Sequence, residues 1–79
     1  MIDMEHELVQ QLKAHPNVID LVAGRDFENG QWRDILITRY RYSKQDVIDR
    51  VWTPPTEIIQ LGARIATAAV AASVVYYPG

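Results

Sequence analysis

The dipeptide Asn29-Gly30, set within Arg25-Asp26-Phe27-Glu28-Asn29-Gly30-Gln31-Trp32-Arg33-Asp34, constrains this chain more than any other feature. Asn-Gly tolerates positive φ at both central positions of a type I′ turn, which makes it the strongest short-range signal of a β-hairpin. Folding the chain about it sets Phe27 opposite Trp32, Asp26 opposite Arg33 and Arg25 opposite Asp34. One aromatic pair and two opposite-charge pairs then share a register, each worth roughly 0.2–1 kcal/mol. A slip by one residue loses all three, so the pairing is strongly specified. Strands are expected at about 24–28 and 31–42.

The elements on either side follow from end signals and periodicity. Asp3 suits a helix N-cap, Glu5 and Glu7 favour the first turn, and Met4, Leu8 and Leu12 recur on one face with Val9 beside them. His15-Pro16 stops that helix, predicted over residues 3–14. Residues 16–23 allow two outcomes. Pro16 fits a first helical position and Gly24 a C′ position, which favours a short helix; the same stretch would otherwise extend the first hairpin strand and bring Val22 opposite Ile37. In the second strand both faces are apolar at the centre, with Leu36 and Thr38 on one and Ile35 and Ile37 on the other, so cover on both sides is expected. A short first strand leaves residues 36–42 with an open edge, to be covered either by Val74-Val75-Tyr76-Tyr77 or by another chain.

Ser43 and Asp46 read as the start of a short helix in which Val47, Ile48 and Val51 face the core. Thr53-Pro54-Pro55-Thr56 is a rigid break. A long final helix is expected over about 55–73. Its polar positions Glu57, Gln60, Arg64 and Thr67 form one narrow stripe, and six alanines lie between residues 63 and 72. A helix apolar over most of its circumference is buried on more than one side. The expected fold is therefore α+β in a single small domain: an N-terminal helix, a hairpin centred on Asn29-Gly30, a short helix, and a long Ala-rich C-terminal helix packed on the hairpin.

Composition narrows the function. There is no Cys in the 79 residues, so disulfides and thiolate metal sites are excluded. The formal charge of −2 argues against broad electrostatic binding to nucleic acid. His6, between Glu5 and Glu7, has no second His four residues on and reads as a solvated helix residue; His15 reads as a helix-end cap. Asp46 and Asp49 lie beside Lys44 and Arg50, a solvated charged face. No nucleophile elbow, phosphate loop or metalloprotease spacing is present, so no catalytic, metal or cofactor residue is assigned and the expected protein is not an enzyme. The acidic N-terminus, Met1-Ile2-Asp3-Met4-Glu5, does not read as a signal peptide, which favours a cytoplasmic or virion-assembled protein.

A small domain with surplus apolar helix surface needs a partner: copies of itself or a larger protein. The expected partner interface is Ile58, Leu61, Gly62, Ile65, Ala66, Ala69 and Val70, with Gly62, Ala66 and Ala69 permitting close approach of another helix. An alternative is a nucleic-acid-binding module using Arg39, Tyr40, Arg41 and Lys44, whose alternation puts guanidiniums on one face of a strand and rings on the other. A third is a membrane-associated accessory subunit, although the apolar run after Arg64 falls short of the ~18–20 residues that a span requires.

From Leu8-Val9-Gln10-Gln11-Leu12-Lys13-Ala14-His15-Pro16-Asn17-Val18 through Leu21-Val22-Ala23-Gly24-Arg25-Asp26-Phe27, the chain resembles the opening of phage tail-completion (tail-terminator) proteins. Those begin with a Leu-rich helix, an Ala-x-Pro break and a short helix ending in a Leu-Val-x-Gly-Arg-like segment that enters a strand. After Phe27 the chain departs from that pattern, with its tight hairpin and Ala-rich last helix. The helix–hairpin–helix order is also similar to a small phage head–tail joining protein. The resemblance implies a ring or plug at a head–tail junction and assigns no individual residue. A small inhibitor docking on a larger protein belongs to the same class.

Overall fold

A computed structural model describes residues 1–42, 44–50 and 52–79; the expected contributions of Ser43 and Val51 lie outside the described residues. The elements are α1 (Glu7–Lys13), β1 (Val18–Glu28), β2 (Gln31–Tyr40), α2 (Lys44–Ile48), α3 (Thr56–Thr67) and β3 (Ser73–Pro78). The strands form one sheet in the order β1-β2-β3, with β1 antiparallel and β3 parallel to the central β2. The fold is thus mixed α+β, built around the expected hairpin. All three anticipated pairs are in register: Phe27 with Trp32, Asp26 with Arg33, Arg25 with Asp34. Asn29 (φ 53°) and Gly30 (φ 78°) supply the two left-handed residues that the turn requires.

Three expected helix boundaries give way. The first helix begins at Glu7, and its cap is His6, whose Nδ1 accepts from the Leu8 N–H at 3.1 Å. Asp3 instead organises the preceding turn, accepting from the N–H groups of Glu5 and His6. Residues 18–23 are strand, not a short helix, with Val22 opposite Ile37. β2 is long enough to pair with all of β1, and the β-branched Val18, Ile19 and Val22 suit a sheet better than a helix. The register shifts between Val18 and Asp20, the one irregularity in the hairpin.

The third correction is the long Ala-rich C-terminal helix, which is not formed. α3 stops at Thr67, and the chain turns back to make β3. The stop is a Schellman motif. Ala69 is left-handed (φ 59°), the Val70 N–H bonds to the Ile65 carbonyl at 3.1 Å, and the Ala69 N–H bonds to the Ala66 carbonyl at 3.0 Å. Val70 stands where the motif commonly brings a hydrophobic residue back against the helix. The left-handed position is usually Gly, because a Cβ there is strained by roughly 1 kcal/mol. Ala69→Gly is therefore expected to raise stability by about 0.5–1 kcal/mol, read as a higher urea midpoint at unchanged slope. A lower midpoint would mean that the motif does not terminate the helix in solution.

β3 settles the open edge of β2: residues 73–78 lie beside Ile35–Tyr40. The core lies between the sheet and the pair α1 and α3, which pack on each other. Leu36, Thr38 and Tyr40 point into it from β2 and meet Val9, Leu12, Ile58 and Ile65. His15 joins the two helices at one end. Its Nδ1 accepts from the Asn17 N–H at 3.1 Å, which leaves Nε2 to donate to Glu57 at 3.0 Å. The Thr38 hydroxyl is buried with no hydrogen-bond partner among the described residues. Among the described residues helices cover one face of the sheet only: α1 and α3 share the face that Leu36 and Thr38 present. On the opposite face Ile35 is buried, Ile37 and Val75 are half-buried and Val22 is 49% exposed, the last three adjacent across the strands.

Candidate functional site

β3 pairs with β2 only from Ile35 onward, so Arg25–Glu28 and Gln31–Asp34 continue beyond it as a two-stranded ribbon. On one face of the ribbon Phe27 and Trp32 stack edge to face with centroids 5.4 Å apart, and the Arg25 guanidinium lies 5.3 Å from the centre of the Trp32 ring. Arg25 also faces Asp34 at 3.7 Å, and Asp34 receives the Met1 ammonium at 2.9 Å. The hydrogen bond from that ammonium holds the Asp34 carboxyl below its usual range, against the opposing effect of partial burial. On the other face Arg33 bonds to both oxygens of Asp26, at 3.3 and 3.2 Å, and pairs with Glu28. Charge is thus neutralised within the ribbon while its rings stay in water. Phe27 is 61% exposed and Trp32 62%.

A second aromatic group lies at the far end of β2. Tyr40 stacks edge to face on Tyr42, and Tyr42 on Trp52, at 5.4 and 5.3 Å. The Tyr40 hydroxyl donates to Tyr42 at 3.4 Å, and the Tyr42 hydroxyl donates to the Trp52 carbonyl at 3.3 Å. Burial, with the bond to Tyr42, pushes the Tyr40 hydroxyl up to about 12, so it stays neutral across the physiological range. The outer ring of this stack, Trp52, is 61% exposed. α2 stands beside it in sequence and has no buried residue. Val47 and Ile48, expected in the core, are on the surface instead, with Ile48 71% exposed. A five-residue helix is too short to hold its apolar face against the sheet unaided.

The residues singled out in the sequence are dispersed by the fold. Ile58 and Ile65 are fully buried and Gly62 is buried, all against their own chain; Leu61 and Val70 are half-buried. These five are covered because α3 is shorter than expected and β3 folds back beneath it. Only Ala66 and Ala69 of the seven remain exposed, lining a shallow depression with Met1, Trp32 and Ala72. The Arg-Tyr strip is likewise divided. Tyr40 is buried in the core, while Arg39 forms a two-pronged pair with Asp20, its Nε at 2.9 Å, which lowers the Asp20 carboxyl. Arg41 and Lys44 are exposed. No alternating row of rings and guanidiniums therefore faces solvent there.

Among the described residues no group of three or more His, Asp or Glu side chains is placed to hold a metal ion. Among the described residues no helix is long and apolar enough to cross a membrane. Beside its charged side chains the chain presents apolar groups: the ribbon rings, the Trp52 end, and Val22 on the sheet face away from the helices. Phe27 and Trp32 were legible as a pair, since their register follows from the turn. Their exposure was not, because it depends on where β3 stops. Comparison with protein-family models, with curated proteins and with solved structures finds no match to this chain.

Proposed function

We propose that this protein is a non-enzymatic structural subunit that assembles with copies of itself through apolar surface. The observation behind this reading is that both tryptophans and the single phenylalanine lie about three-fifths exposed, each next to other apolar groups. Isolated surface hydrophobics need no explanation, but clustered ones mark interaction sites. Trp and Phe are enriched at protein interfaces, and Trp is among the residues whose truncation there costs most. The neutralised charge on the ribbon fits the same role, because Arg33 and Arg25 already have acidic partners and a docking surface need not supply them. A virion component at a head–tail junction is the most concrete version, and it is what the resemblance of residues 8–27 implies.

Light scattering on the purified chain tests the reading. A discrete mass at a multiple of 9.0 kDa is expected, with tryptophan emission shifting to the blue as the assembly forms. A monomer at every concentration, with red-shifted emission throughout, overturns it.

A further inference from the structure

We infer that the outer edge of β3 is the seam along which two copies join, strand β3 against strand β3, into one continuous six-stranded sheet. The inference rests on the self-assembly proposed above and names where it occurs. The sheet has two free edges, β1 and β3, and they differ in chemistry. β1 carries Asp20, Arg25, Asp26 and Glu28 and a break in register near its start. Charges and irregularities of this kind are how natural sheets prevent edge-to-edge pairing. β3 reads Ser73-Val74-Val75-Tyr76-Tyr77-Pro78, with no charge, and Pro78 at its end is the one residue unable to donate.

A second copy is the occupant that this asymmetry favours. A closed dimer has a two-fold axis, and the axis requires the two strands to run antiparallel, each residue meeting one of the same set. Centred on Val75, the pairing sets Val75 against itself, Val74 against Tyr76, and Ser73 against Tyr77. Aromatic and β-branched residues opposite one another stabilise a sheet. Whichever residue lies on the axis, no like charges meet. β1 lacks that freedom: centred on Ala23 it opposes Asp20 to Asp26, and centred on Gly24 it opposes Asp20 to Glu28. Pairing through β3 also brings the two helix-free sheet faces side by side, because Val75 is the neighbour of Ile37, which neighbours Val22. The apolar strip of one copy then continues into the other. An edge of six residues alone falls short of the ~1,200 Å² typical of a stable interface, so the dimer is expected to depend on concentration.

The test is sedimentation velocity on the full chain over a concentration series, with Val75→Lys, Val75→Glu and their mixture. Val75 is half-buried on the face away from α1 and α3, so urea unfolding of each variant first establishes that its monomer is folded. The expected result is a dimer for the unaltered chain, monomers for each variant, and a dimer restored on mixing. Amide exchange in residues 73–78 of the unaltered chain should slow as concentration rises, a readout that needs no variant. If the unaltered chain associates but exchange in β3 does not change and Val75→Lys still associates, the β3 seam is wrong and assembly through the exposed rings stands. If the unaltered chain is a monomer throughout, both proposals fail.

Discussion

Leu36→Ala is expected to destabilise the protein by about 3–5 kcal/mol, close to abolishing the fold at 37 °C. Leu36 is fully buried at the middle of the central strand, flanked by Ala23 on β1 and Val74 on β3. It belongs to the cluster that α1 and α3 close from above, so the space left by its side chain is walled by three strands and two helices and collapses poorly. A domain of this length has roughly 4–12 kcal/mol of total stability, at 0.05–0.15 kcal/mol per residue, so one such cavity consumes a large share. Leu36→Met keeps the volume and should cost under about 1.5 kcal/mol. Urea unfolding followed by far-UV circular dichroism separates the two. Equal midpoints for the Ala and Met variants would contradict the enclosed core.

Gly62→Ala is expected to lower stability by about 1–2 kcal/mol, although alanine is the better helix former by about 1 kcal/mol. The reason is position. A Cβ on Gly62 would lie 1.9 Å from the Tyr76 hydroxyl oxygen, 3.1 Å from the ring carbon that bears it and 3.3 Å from Val74 Cβ. The Tyr76 hydroxyl donates to the Ile58 carbonyl at 3.4 Å, and burial raises its ionisation above the ordinary range. The ring must leave that place to admit a methyl group. With Tyr76→Leu as background the hydroxyl and its ring carbon are gone and only the 3.3 Å approach to Val74 Cβ remains, so the same substitution should become stabilising by up to about 0.5–1 kcal/mol as helix propensity takes over. A double-mutant cycle in urea reads the change of sign. The same sign in both backgrounds would show that the Gly62–Tyr76 contact does not govern this position.

The parts of this fold that were legible are those specified by neighbours in sequence. The turn at Asn29-Gly30 and the three flanking pairs lie within ten residues, and their register needs nothing from the rest of the chain. The strand at 18–23 was less legible because Pro16 and Gly24 look like helix punctuation. The decision belonged to β2, which offers ten residues of pairing. The end of α3 was hidden for a local reason: Ala69 occupies a left-handed position that Gly usually takes, inside an alanine-rich run that otherwise promotes helix. Misplacing that stop inflated the helix surface assigned to a partner. Ile58, Gly62 and Ile65 look surplus in the sequence because residues 68–73 read as helix and a strand at residues 74–77 is expected only beside β2, whereas β3 also lies beneath α3. The exposed rings are legible only in three dimensions. Nothing local distinguishes Trp52, which lies outside, from Tyr40, which lies inside.

The two seams of the sheet differ in how far along the chain they reach. Glu28 meets Gln31 across a tight turn, whereas Ile35 waits for Ser73. Hairpins close in roughly 1–10 μs, but a pairing between distant residues must first immobilise the segment that links them. During refolding the hairpin therefore precedes the third strand, and β2 passes through an interval with one side bare. That interval, rather than the finished molecule, is when residues 35–40 are open to capture by the wrong strand.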